Sequence, residues 1–140
     1  IEKYLFIQSV RYNDKISYDL KISEEVLNYK IPAMTLQPLI ENAIIHGLEP
    51  KNGPGKITIY GNIASDKLAI IKIEDNGVGI SSDKLNMIMN NINSSNKLES
   101  IGIKLVQDRL LYYFGSEFSI KISSIPYVGT TVYIKIPLIY

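Results

Sequence analysis

The chain has 140 residues, 46% of them apolar, a formal net charge of +1, one histidine and no cysteine. That suffices for one domain with its own core. It excludes disulfides and thiolate metal cages and leaves too few ligands for a dedicated transition-metal site. No apolar run approaches the roughly 18 residues of a membrane helix. The lysines are scattered along the chain rather than gathered into the basic stripe a nucleic-acid module needs. Position 1 is Ile rather than Met, so the chain is expected to be a piece of a longer protein.

Residues 1–12 mix apolar and polar positions at helical spacing, and Asn13-Asp14 breaks the pattern. Residues 16–22 (ISYDLKI) alternate as a half-buried strand does. Residues 23–30 are polar and read as a connector. Thr35 is the expected N-cap of a helix whose apolar face is Leu36, Leu39, Ile40, Ala43, Ile44 and Leu48. Pro38 is tolerated in its first turn, and Gly47 marks its end. After the loop PKNGPG come two strands, 56–63 and 68–74, the second apolar enough to be central. Residues 82–90 read as a short helix and 90–100 (NNINSSNKLES) as a mobile polar stretch. A helix over 101–114, ended by Gly115, precedes two alternating strands at 118–124 and 130–137. The order α–β–α–β–β–α–α–β–β has no regular βαβ repeat. It predicts an α+β two-layer sandwich, a mixed sheet backed by helices, with no second domain.

Two segments carry chemistry. Asp75-Asn76-Gly77-Val78-Gly79-Ile80 follows a strand, and Asn42 lies within the helical run PLIENAIIHG. A carboxylate at a strand end is a strong acceptor for an exocyclic amine such as that of adenine. Gly77 and Gly79 remove side chains where a base or sugar would press on backbone. Asn42 offers a carbonyl oxygen to Mg²⁺, which takes oxygen ligands and keeps several waters. Each feature also has a plain reading. Asp-Asn-Gly is an ordinary tight-turn signal, Asn42 and Glu41 suit any exposed helix face, and His46-Gly47 suits a helix C-terminus.

Together and in this order, these residues resemble the GHKL superfamily of gyrase, Hsp90, histidine kinases and MutL. Glu41-Asn42-Ala43-x-x-His46-Gly47 is similar to its N box and Asp75-x-Gly77-x-Gly79 to its first glycine box. Gly102 occupies the place of a second-box glycine, and Gly129-Thr130-Thr131 is similar to the terminal Gly-Thr element. The phrase Leu36-Gln37-Pro38-Leu39-Ile40-Glu41-Asn42-Ala43 and the leading Tyr4-Leu5-x-Ile7-Gln8-x-x-Arg11-Tyr12 resemble LytS/YesM-like sensor histidine kinases.

The resemblance implies a Bergerat fold, with ATP between the helices and a flexible lid over residues 81–100. Residues 1–14 would end a helical linker from an upstream dimerisation domain, and 15–140 would form the ATP-binding catalytic domain. It implies that Asn42 ligates Mg²⁺, His46 approaches the phosphates, and Asp75 holds adenine. Gly77, Gly79 and Ile80 would shape the pocket, Gly102 would present helix N–H groups to phosphate, and Thr130 would support the adenine side. Its implied partners are the upstream phosphoacceptor domain and a response regulator. Nucleic acid is not among them. The parent would be a homodimer anchored in the cell membrane, with this domain in the cytoplasm.

Three positions depart from the family pattern. Ile45 stands where many kinases carry Lys or Arg, so a phosphate cation is either missing or supplied from elsewhere, with Lys51, Lys97 and Lys104 as candidates. Ser100 replaces the first glycine of the second box, and Leu105 replaces a usual Asn. Hydrolases of the superfamily place a general-base Glu four residues before the Mg²⁺ asparagine, where this chain has Pro38, which accepts no proton. Glu41, next to Asn42, points about 100° away on a helix. The accepting histidine would lie upstream, so the expected activity is that of a sensor histidine kinase lacking its acceptor. A serine kinase of the anti-sigma-factor type and a degenerate interaction module are the alternatives.

Overall fold

The computed structural model describes residues 1–92 and 101–139. Its elements are α1 (Glu2–Arg11), β1 (Ile16–Ile22), a 3₁₀ turn (Glu24–Asn28), α2 (Gln37–Asn42), β2 (Gly55–Ser65), β3 (Leu68–Asp75), α3 (Ser82–Ile92), α4 (Ile101–Phe114), β4 (Ser119–Ile125) and β5 (Gly129–Pro137). Directly after α2 the chain widens into a π-helical segment, Ala43–Leu48.

The five strands form one sheet in the order β1-β2-β3-β5-β4. β1 runs parallel to β2, because the α2 crossover separates them, and the other three pairings are antiparallel. This is the mixed α+β sandwich expected from the element order. Period-2 alternation sends Ile57 and Ile59 of β2, Ala69, Ile71 and Ile73 of β3, and Val132, Ile134 and Ile136 of β5 to one face. There they meet Leu39, Ile40, Ile44 and Leu48 and, from α4, Val106 and Leu110. All of these are buried. α1 adds Leu5 and Gln8 to the same layer.

The structure departs from the local signals in four places. Thr35 does not cap α2. It is buried, and its Oγ1 donates to the Pro32 carbonyl at 2.7 Å. The residue ahead of the helix is Leu36, already in helical conformation and with no side-chain cap. A Thr this deep spends its hydroxyl on the nearest carbonyl within its own turn. Residues 23–30 are more than a connector, since they contain the 3₁₀ turn, and Lys30 bridges to Ile139. Gly47 does not end its helix but lies inside the π-helical segment, for a packing reason given below. Of the stretch read as mobile, residues 90–92 close α3, and residues 93–100 lie outside the described residues. No helix among the described residues is long and apolar enough to cross a membrane.

Candidate functional site

β3 ends at Asp75, where its alternation would otherwise place an apolar side chain against the helices. The carboxylate is 6% exposed. It accepts the Gly77 N–H at 2.8 Å, an Asx turn that bends the chain out of the sheet. Burial pushes its pKa up to about 6, against the pull of the Gly77 and Thr130 N–H groups and of nearby Lys51. Asp75 and Thr130 are cross-strand partners at the end of the β3–β5 ladder.

The π-helical segment lies beside this turn, and the two backbones touch there. The Gly47 carbonyl accepts the Val78 N–H at 2.9 Å. A Cβ on Gly77 would overlap the Gly47 backbone, and one on Gly47 would come within 2.8 Å of the Asp75 carboxylate. Gly47 is therefore a contact residue. π-helical turns recur where a helix is widened at a functional site. Gly79 has φ +69° and lies directly under the Ile125 carbonyl, so only glycine fits there without strain.

These elements enclose a cavity of about 350 Å³, near the lower end of the range for small-molecule sites. Asn42, His46, Asp75, Gly79, Ile80 and Thr130 all line it, and Ile73, Val132, Ile88 and Ile103 give it an apolar body. Two expected residues do not line it. Gly77 is buried behind the wall, fixing the Asp75 turn against Gly47. Gly102, in the first turn of α4, lies against the Asn42 amide, and a Cβ there would approach Nδ2 to 2.7 Å. Glu41 is also off the cavity, accepting Gln37 Nε2 at 2.9 Å. Ile45 is half exposed and does not line the cavity either.

Of the lysines offered for phosphate, Lys51 donates to the Asn76 carbonyl at 2.6 Å, outside the lining. Lys97 lies outside the described residues, and Lys104 does not line the cavity. Lys84, on the first turns of α3, does line it. Sequence reasoning passed over Lys84 because it lies in no glycine or asparagine motif. It also missed Ser124. The Ser124 hydroxyl accepts the Ile80 N–H at 2.8 Å, lies 2.8 Å from Thr130 Oγ1 and donates to the Gly129 carbonyl at 3.0 Å. One side chain thus ties the loop after β3 to the β4–β5 hairpin. Ser124→Ala should leave the Ile80 N–H unpaired and cost about 1–2 kcal/mol in urea unfolding, as Ile80 and Thr130 lose their common anchor.

Residues 30–139 match the family described as histidine kinase-, DNA gyrase B- and HSP90-like ATPases. The chain belongs to that family. Among relatives of this ATPase-family domain, the YwpD protein of Bacillus subtilis (strain 168) is 35% identical over 138 residues, covering 99% of this chain and 47% of that protein. The sensor protein kinase HptS of Staphylococcus aureus (strain USA300) is 34% identical over 139 residues, 99% of this chain and 26% of HptS. The domain thus spans about half or a quarter of the length of these relatives. Among solved structures, the catalytic domain of the histidine kinase ThkA superimposes with a TM-score of 0.70 at 15% identity, covering 99% of this chain and 91% of that one. The mycobacterial sensor histidine kinase MprB gives 0.68 at 13%, covering 98% and 91%. At such identities the superpositions establish the shared fold.

Proposed function

We propose that this domain binds Mg·ATP in the cavity between α2, the π-helical segment and the loop after β3, and that it serves as the catalytic half of a sensor histidine kinase. The γ-phosphate would pass to a histidine on an upstream dimerisation domain, from which residues 1–14 would be the incoming linker, and from there to a response regulator. The parent would be a membrane-anchored homodimer of the LytS/YesM-like group.

The observation that carries this reading is the convergence of Asp75, Asn42 and His46 on one cavity beside the N-terminal turn of α4. Asp75 suits the adenine amine, with Thr130 beside it. His46, Lys84 and the α4 N–H groups suit the phosphates. Among the described residues no three His, Cys, Asp or Glu side chains gather into a metal cage. That fits an Mg²⁺ ion held by the Asn42 carbonyl oxygen, phosphate oxygens and water. The ion would neutralise phosphate charge. Transfer rather than hydrolysis is supported by Pro38, which is buried in the first turn of α2 and offers no base, and by Glu41, which faces Gln37. In phosphoryl transfer the protein's work is positioning and charge neutralisation.

Calorimetry with ATP in Mg²⁺ and in EDTA tests the assignment. The parent chain should bind more tightly with Mg²⁺, and Asn42→Ala should shrink that advantage toward unity while keeping Mg²⁺-free affinity. No binding by the parent would refute the nucleotide reading. A labile phosphate on His46 after incubation with ATP, found by mass spectrometry, would refute the assignment of the acceptor to another domain.

A further inference from the structure

The helices cover one face of the sheet, and alternation sends every second strand residue to the other. On that outer face Lys21 pairs with Tyr60, Tyr60 with Lys72, Lys72 with Tyr133, and Tyr133 with Lys121. One row therefore crosses all five strands as Lys–Tyr–Lys–Tyr–Lys. Lys135, two residues after Tyr133 on β5, shares the face. The neighbouring row is Asp19, Thr58, Glu74, Thr131 and Ser123. Its two carboxylates already face lysines, Asp19 with Lys56 at 2.6 Å and Glu74 with Lys72 at 2.8 Å. The face thus keeps a surplus of positive charge, carried by Lys21, Lys121 and Lys135, all exposed. Lysines scattered in sequence are collected in space.

We propose that this row is a docking surface for an acidic, extended segment of a protein partner. Its lysines recur every second strand, roughly 10 Å apart, which is about three residues of extended chain. Carboxylates of the segment would then meet the outer lysines Lys21 and Lys121, while Lys72 between them stays with Glu74 and the intervening residues lie along the exposed Tyr133. Tyrosine, with an apolar ring and a polar tip, suits such a contact. Single-stranded nucleic acid needs open aromatic faces on which bases stack. The ring of Tyr60 is instead covered by Lys72 Nζ at 3.9 Å, with Lys21 Nζ at 5.3 Å. A bilayer would have to meet lysines that the twist, about 20° per strand, turns away from one plane. The row lies on the sheet face opposite the nucleotide cavity, so the proposal stands independently of nucleotide binding.

Fluorescence anisotropy with a labelled decaglutamate peptide, at low ionic strength and without nucleotide, provides the test. The parent chain should bind and lose binding in high salt. The triple variant Lys21→Gln/Lys121→Gln/Lys135→Gln should weaken binding about tenfold, the combined effect of three exposed charge pairs, with ATP affinity unchanged. Tyr133→Ser should weaken it as well. Lys3→Gln/Lys30→Gln/Lys67→Gln removes the same charge elsewhere and should leave binding intact. Absence of binding, or equal loss in both triple variants, would overturn the proposal. Tighter binding to oligo(dT) or to phosphatidylglycerol vesicles than to the peptide would overturn it in favour of nucleic acid or membrane.

Discussion

Asp75→Asn is expected to stabilise the domain while weakening the proposed binding of ATP. In the native protein burial raises the Asp75 pKa to about 6 from its ordinary 3.8, so folding favours the protonated form. Below pH 4 both folded and unfolded chains carry the proton and no penalty exists. Between pH 4 and 6 the unfolded chain ionises first and stability falls. Above pH 6 the whole cost, about 3 kcal/mol for a shift of this size, is in place. The amide has no charge to bury. Its melting temperature should therefore exceed that of the parent at pH 7.5, and the two should converge near pH 4, in thermal scans across that window. Calorimetry at pH 7.5 should show ATP affinity down at least tenfold, as expected for loss of a charged acceptor. Equal pH profiles for the two proteins would mean that Asp75 carries no strain. A carboxylate kept at such cost in the core is hard to explain by packing, and simple if its acceptor strength is used.

Gly77→Ala is expected to be among the most damaging single-methyl changes in the molecule. The added carbon would overlap the Gly47 backbone, which is held by a helix and a hydrogen bond to Val78 rather than by a movable side chain. Separating the two segments breaks that bond and loosens the Asp75 turn. Overpacking of this kind costs about 3 kcal/mol or more, read as a lowered urea midpoint with an unchanged slope. ATP affinity should fall with it, because the wall that moves carries Asp75 on one side and His46 on the other. An Ala variant as stable as the parent would show that the approach of Gly47 to Gly77 does not build the site.

The parts of this fold that were legible in sequence are those set by periodicity. Alternation in β3 and β5 and the helical face from Leu36 to Leu48 gave the element order and the two-layer arrangement. The residues of the cavity were legible as short motifs, Asn42 with His46 and Asp75 with Gly79. What stayed hidden depends on contacts between distant segments. Gly47 looked like a helix end because glycine favours C-termini. Its real constraint is the Asp75 carboxylate, which a Cβ there would approach to 2.8 Å. Thr35 looked like a cap because nothing local announces that its hydroxyl is buried. Ser124 sits in an unremarkable strand and becomes a junction only when β4 is laid beside β5 and the loop after β3 arrives. The lysines looked scattered because their common face appears only with the register of five strands.

The pairing of Asp75 with Thr130 also bears on how the domain folds. β2 with β3, and β4 with β5, are hairpins closed by short turns, and such local contacts form early and cheaply. The β3–β5 seam joins the two hairpins across the whole α3–α4 region, and non-local closures of that kind slow folding. The cavity proposed for nucleotide straddles that seam and is closed by the Gly47–Val78 link from a third segment. It can be complete only after both long closures are made. A chain that has collapsed but not yet zipped the seam has much of its secondary structure and no site, so ligand binding would report the last step of folding rather than the first.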